Sequence, residues 1–327
     1  MSDQASATHQ DYDPARGQQA RRPRDIPRTG WRDILRRTKA EASNDNLSIV
    51  SAGVAFYLLL SLVPALAAVL SIYGLVADPA TVEQQIASLG QLLPSQAQEL
   101  IAGQLERIAS GSQAGLGLGA AVGLLLTLWS TAKGMKALII ALNISYDEQE
   151  SRGFIKLNLV ALGLTVLCVL IGLLALAAII VLPALLGNLG LGEMLRGWIN
   201  WLRWPVLAVA LMVGLAVVYR YAPDRSRPHW RWVSWGAVLA TVLWLLASAG
   251  FSLYVRYFGS YNETYGSLGA VVILMMWFFI SAYIVLLGAE LNAESEHQTA
   301  RDSTAGGEQP MGERGAHVAD TVGERPR

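Results

Sequence analysis

Cysteine is nearly absent. Cys168 is the only one in 327 residues, so no disulfide can form within the chain and a disulfide-stapled secreted domain is excluded. Charge is scarce too. Asp, Glu, Lys and Arg make up 15% of the residues, and 25 basic side chains balance 25 acidic ones to a formal net charge of zero. A soluble domain carries about 25% charged residues. Here the apolar fraction is 53% before the 31 glycines are counted, which is more apolar surface than so few charges can cover. The same figures exclude a disordered chain and a generic nucleic-acid binder. Histidine is limited to His9, His229, His297 and His317, with no HxH or HExxH spacing. No GxxxxGK[ST] pattern is present either, so a built-in P-loop ATPase is not expected. The composition describes an integral membrane protein.

What the chain does have is long apolar runs. Six of them cover roughly 49–74, 115–141, 158–184, 202–220, 233–255 and 267–289, none with Asp or Glu in its middle. A helix rising ~1.5 Å per residue needs about 20 residues to cross ~30 Å of hydrocarbon. The runs are continuous rather than alternating, which excludes barrel strands. The expected fold is therefore all-α: a polytopic, six-transmembrane-helix bundle over 48–294. Pro64 is expected to kink the first span. Gly115, Gly119 and Gly123, spaced by four, put one thin face on the second and permit close packing or access past it.

The flanks are polar. Residues 1–47 lack the short apolar core of a signal peptide. Arg21-Arg22 is followed by Pro-Arg-Asp rather than an export sequence. Trp31–Glu41, WRDILRRTKAE, is predicted to be a short basic helix on the membrane surface. Residues 295–327 show no periodicity and are expected to be a disordered tail. Between the first two spans lies a long loop, 75–114. In it Val82, Ile86, Leu89 and Leu93, then Ile101, Leu105 and Ile108, recur at helical spacing on either side of Pro94. These are two amphipathic helices that either cap the outer mouth of the bundle or lie along the headgroups.

Orientation follows from Lys and Arg. With the N-terminus inside, 21 of the 25 basic residues fall on inner segments and only Arg107, Arg196, Arg203 and Arg256 on outer ones. Leaving out both long tails, the short inner loops still hold eight against four. Both termini are thus expected in the cytoplasm. Trp198, Trp201 and Trp204 then mark the outer interface, and Trp230, Trp232 and Trp235 the inner one.

Two polar clusters are candidate sites. The outer one is the turn YVRYFGSYNETYGS, with Arg256, Tyr261, Asn262, Glu263 and Tyr265. It reads either as a gate or polar substrate contact, or as an interfacial hairpin whose arginine snorkels to phosphates. The inner one combines Lys133, Lys136 and Asn143 at the end of the second span with Glu290 and Asn292 at the end of the sixth. A Lys–Glu pair across the bundle is one reading, and lysines reaching lipid headgroups is the other. Cys168 has no neighbouring base and reads as a small apolar filler. No catalytic residue, metal site or cofactor is expected. The expected partners are membrane lipids and a lipid or small amphipathic solute, without nucleic acid. The oligomeric state stays open.

Three stretches carry a family resemblance: SIVSAGVAFYLLLSLVPALAAVLSIYG (48–74), WSTAKGMKALIIALNISYDEQESRGFIK (129–156), and the block from Trp235 to Glu294 that ends in Gly288, Ala289, Glu290, Leu291 and Asn292. Over about residues 30–294 the chain resembles the YihY/BrkB family of bacterial inner-membrane proteins. The resemblance implies six spans and cytoplasmic ends. It is a poor guide to activity, since members have carried ribonuclease and virulence labels and transport has been suggested without a settled substrate. Ribonuclease chemistry needs a metal-ligand cluster or a paired general acid and base, and four scattered histidines supply neither. Two functions remain: a transporter or flippase with a polar path, and a non-transporting scaffold of the envelope with a dry core.

Overall fold

The computed structural model describes residues 12–76, 116–176, 193–257 and 267–325. Seven long helices are found among them: α1 Arg28–Asn44, α2 Leu47–Val76, α3 Leu116–Ser145, α4 Phe154–Leu176, α5 Glu193–Tyr221, α6 Trp230–Tyr257 and α7 Ser267–His297, with the short α8 His317–Asp320 and 3-10 turns at Pro14–Arg16 and Pro23–Asp25. Helices α2 to α7 sit at the six apolar runs, because a helix satisfies every backbone group within one segment. Among the described residues four stretches are long and apolar enough to cross a membrane: Phe154–Leu174, Trp204–Tyr221, Trp230–Val255 and Val271–His297. The bent pair α1 and α2 makes a fifth if it is counted as one span. The protein is an all-α, multi-pass membrane-helix bundle.

The bundle closes in sequence order. Each of α2 to α6 packs on the next helix, and α7 returns to α2. Helix α1 lies on α7. The described core sits where α2, α4 and α6 begin and α3, α5 and α7 end, around Leu47, Ile139, Leu142, Tyr219, Leu286 and Ala289. Away from that end the helices present exposed Leu174, Val213, Val242 and Leu246, an apolar surface suited to lipid. Between α6 and α7 the backbones meet. A Cβ on Gly288 would stand 2.8 Å from the Gly236 carbonyl oxygen, and one on Gly236 would stand 2.6 Å from Asn292 Cγ. The Tyr219 hydroxyl donates to Val285 O at 2.8 Å and ties α5 to the same contact.

Three expectations are changed. Residues 298–325 are packed, not disordered. Their backbone N–H groups pair with the N-terminal segment (Ala300 to Gln18 O, 2.9 Å), and Gly323 donates to His297 O at 2.8 Å. The connection between α5 and α6 joins them through His229 to Ser303 O and Ser226 to Gly315 O, at 2.9 and 2.8 Å. Arg314 is buried and donates to Ala319 O and Ala300 O. A polar segment without periodicity cannot bury a face of its own, but it can borrow backbone partners from elements already in place. The surface helix is longer than expected, running from Arg28 to Asn44. A sharp bend that the sequence did not indicate lies before the first apolar run: α1 and α2 meet at 64° across Asp45 and Asn46, with Asn46 at φ 51°, while Pro64 lies inside α2. The expected outer loop, apart from its first two residues, and Gly115 lie outside the described residues.

The Gly236–Gly288 contact is testable. Gly236→Ala should lower the melting temperature of the detergent-solubilised protein, by the equivalent of about 1–3 kcal/mol for overpacking. Gly163→Ala, whose Cβ would meet nothing within 4 Å, should leave it unchanged or raise it.

Candidate functional site

The end of α7 is unusual for a helix leaving a membrane. Glu290, Asn292, Glu294, Glu296 and Gln298, at every second position, are all buried, with exposures between 0% and 5%. Alternate positions on an α-helix point to opposite sides, so this end is enclosed all round. Each residue meets a different element. Asn292 accepts from Gly236 N of α6 at 2.7 Å and donates to Val233 O at 3.2 Å. Glu294 forms an ion pair with Arg37 of α1. Glu296 pairs with Arg225 of the α5–α6 connection at 2.6 Å. Gln298 accepts from Arg37 Nη2 at 2.7 Å and donates to Arg16 O at 2.8 Å. Glu290 faces Asp45 in the turn between α1 and α2.

The Arg225–Glu296 pair is sealed, with side chains 1% and 0% exposed. Ser303 donates to the same Glu296 oxygen at 2.7 Å, and the guanidinium lies 4.9 Å from the centre of the Tyr146 ring, close enough for cation–π attraction. Burial opposes the charge on Arg225, but Glu296 and Tyr146 outweigh it and hold the guanidinium above its usual pKa. Burial, then Glu296, pushes the Tyr146 phenol up. Three enclosed polar atoms here have no hydrogen-bond partner: Arg225 Nη1, Glu296 Oε1 and the Ser51 hydroxyl. Glu290 meets Ser145 and Asp45, and Tyr146 meets Asn292. Asp45 stands at the edge of this layer. Burial raises its carboxyl to about 6, with Asp147 and Glu41 adding and Glu290 opposing.

A second network lies beside the first. Asn143 Oδ1 accepts from Asp224 N at 2.8 Å, and its Nδ2 donates to Glu150 at 2.9 Å. Arg152 reaches Glu150 at 2.6 Å, Asp224 at 3.5 Å and Ala222 O at 2.8 Å. Ser151 donates to Asp224 through both its backbone and hydroxyl. The α3–α4 and α5–α6 connections are thus knitted into one polar floor.

Of the expected inner cluster, the structure brings Asn143, Glu290 and Asn292 into this floor and leaves the lysines out. Lys133 is exposed. Lys136 donates to Asn158 at 2.7 Å and lies 5.9 Å from the Trp129 ring centre. The expected Lys–Glu pair is therefore not formed. The cations that enter the layer are Arg37 and Arg225, whose planar forks suit buried carboxylates better than an ammonium does. In the outer cluster, Tyr261, Asn262, Glu263 and Tyr265 lie outside the described residues. Arg256 is on α6, with its side chain likewise outside them.

Arg37, Arg225, Glu294 and Glu296 were missed as site residues. The arginines counted only as topology signals. The available signal was the run of acids at 290, 294 and 296 directly after an apolar helix, which needed cations to stay enclosed. The packed tail also brings two histidines together, with the His297 and His317 rings 6.5 Å apart between centres. No group of three His, Cys, Asp or Glu able to hold a metal is found among the described residues.

Removing one partner of a sealed pair leaves an uncompensated charge. Arg225→Ala or Glu296→Ala should each destabilise the protein by about 3–5 kcal/mol in denaturant or thermal melts, and Arg225→Met with Glu296→Leu should recover most of the loss. Asp45 gives a pH signature. Its folded pKa is raised, so the native state takes up its proton first, and stability falls as pH rises through about 4 to 6. Asp45→Asn should melt higher than the parent at pH 7.5, and the difference should vanish below pH 4.

The chain matches the family model described as "Virulence factor BrkB" over residues 38–312. It is 32% identical over 251 residues to a Bacillus subtilis protein named as ribonuclease-like, YfkH, covering 74% of this chain and 88% of that one. It is 32% identical over 154 residues to a UPF0761 membrane protein of Vibrio cholerae, covering 46% of this chain and half of the other's length. A UPF0761 membrane protein of Tolumonas auensis is 33% identical over 125 residues, 35% of this chain and 41% of that one. No solved structure matches. The enclosed acids of α7 lie inside the matched region, and the chain belongs to the YihY/BrkB family of membrane proteins.

Proposed function

We propose that this protein is a transporter or flippase of the bacterial inner membrane, moving a lipid or small amphipathic solute, with six spans and both ends in the cytoplasm. The observation that carries the reading is the enclosed charged layer at one end of a ring of helices. Buried ion pairs are weak sources of stability, and ionisable groups at the edge of a membrane domain are expensive unless they serve a path or a switch. The unpartnered atoms of Glu296 and Arg225 fit a layer that rearranges, since a fixed structural layer would gain by satisfying them. In this reading the layer is the inner closure of the path, and Asn143 and Asn292 hold its walls. Six spans and the inner placement of this end rest on the six apolar runs and the split of basic residues.

One observation favours the scaffold reading instead. Ile139, Leu142, Leu286 and Ala289 are fully buried above the charged layer, as a dry core would be. The word ribonuclease in the Bacillus relative's name suggests a third class. We infer that this chain is not an enzyme. Two neighbouring histidines without a nearby metal cluster are a thin basis for hydrolysis, and Thr321 already occupies His297 Nε2 at 3.0 Å.

Transport can be measured in proteoliposomes carrying a fluorescent phospholipid, by chemical reduction from outside. Protein-containing vesicles should lose more than the about half of the signal expected from the outer leaflet alone. Arg225→Met with Glu296→Leu, which keeps the end packed but removes the charges, should change the rate at least severalfold. If the parent protein moves neither lipid probes nor small amphipathic dyes, the scaffold reading takes its place.

A further inference from the structure

Helix α1 has one face against α7 and one face outward. Gly30, Asp33, Ile34, Arg37 and Thr38 are buried. Its acid in this stretch, Asp33, is turned inward and neutralised by Arg16 at 2.5 Å. The outward face carries Arg28, Arg32, Leu35, Arg36 and Lys39, all exposed, at the three- and four-residue spacing that places them side by side. No ion pair among the described residues uses any of the four cations. With Trp31, these residues line a groove of about 510 Å³. Leu35, in the middle of the cations, is 56% exposed, which water alone would not favour.

The groove adjoins a lipid-facing wall. Trp31 packs on Trp235 of α6, with ring centres 5.3 Å apart. From Trp235 the exposed residues Val238, Val242 and Leu246 continue along one side of α6. Because α1 meets α2 at 64°, it runs closer to the membrane plane than to its normal when α2 crosses the membrane. Cations at headgroup level, two tryptophans at the boundary and an apolar strip leading away from them match the three zones of one phospholipid.

We propose that Arg28, Arg32, Arg36 and Lys39 form a binding site for the headgroup of an anionic phospholipid, with its acyl chains along Trp235, Val238, Val242 and Leu246 of α6. Charge complementarity selects the occupant: four cations without a carboxylate between them favour a phosphate with a second negative charge or an uncompensated one over a zwitterionic headgroup. Leu35 and Trp31 then meet glycerol and upper acyl carbons instead of water. The site needs only α1 and α6 and does not depend on transport.

The test uses the full-length protein in detergent, with phosphatidylglycerol or phosphatidylethanolamine added in mixed micelles. Thermal stabilisation and lipid retention by native mass spectrometry are the readouts. Phosphatidylglycerol should raise the melting temperature and be retained in preference to phosphatidylethanolamine, and raised salt should weaken the preference. A fourfold Arg28→Gln, Arg32→Gln, Arg36→Gln, Lys39→Gln variant should lose the preference about tenfold or more while melting like the parent in phosphatidylethanolamine. Should the fourfold variant not fold, Arg28→Gln with Arg32→Gln and Arg36→Gln with Lys39→Gln are the pair to compare, and each should lose part of the preference. Trp235→Ala should reduce retention without altering the salt dependence. Equal stabilisation by both lipids in the parent, a preference undiminished in the charge variants, or equal stabilisation by a soluble polyanion such as transfer RNA would overturn the proposal.

Discussion

Everything at the described end of this protein depends on keeping the last turns of α7 out of water. A helix end that carries Glu290, Glu294 and Glu296 would normally stand in solvent. Here α1, α6, the α5–α6 connection and both terminal segments surround it, and each contributes a partner of matching polarity. Arg37 and Arg225 supply the charges, Gly236 the backbone donor for Asn292, and Arg16 the carbonyl for Gln298. Desolvating carboxylates costs several kcal/mol each unless they are paired and hydrogen-bonded. The polar tails therefore stay folded because α7 requires them, and α7 stays enclosed because they are present.

This mutual requirement links fold to function. A ring of apolar helices in lipid gains little from the hydrophobic effect, since the surroundings are as apolar as the interior. Close backbone approach at Gly236 and Gly288, and interhelical hydrogen bonds such as Tyr219 to Val285, hold it instead. The charged layer adds specificity to those contacts. It also leaves atoms of Arg225 and Glu296 unpaired, which gives this pair room for other partners within the layer.

Helix α1 joins these two roles. Its inner face closes the charged layer through Arg37, and its outer face is a row of cations beside an apolar wall. A lipid headgroup on the outer face would bear on the same helix that holds Glu294. The 64° bend at Asp45 and Asn46 places both faces where they are, and Asp45 at that bend adjoins Glu290.

The membrane-helix architecture follows from the order of the residues alone, because backbone groups in hydrocarbon leave an apolar run of this length no alternative to the helix. The positions of α2 to α7 followed as well, and Asn143, Glu290 and Asn292 stood out as polar side chains that, at the end of such a run, have to find a partner. Only the tertiary structure decided which partner. Lys133 and Lys136 lie in the last turns of α3, yet the arginines of α1 and of the α5–α6 connection take the acids, because helix packing and not sequence distance brings Arg37 and Arg225 there. The order of residues 298–325 was hidden for the same reason. A segment held by scattered turns of its own and by backbone bonds to other elements, such as Ala300 to Gln18 O and Gly323 to His297 O, leaves no periodic trace in the sequence.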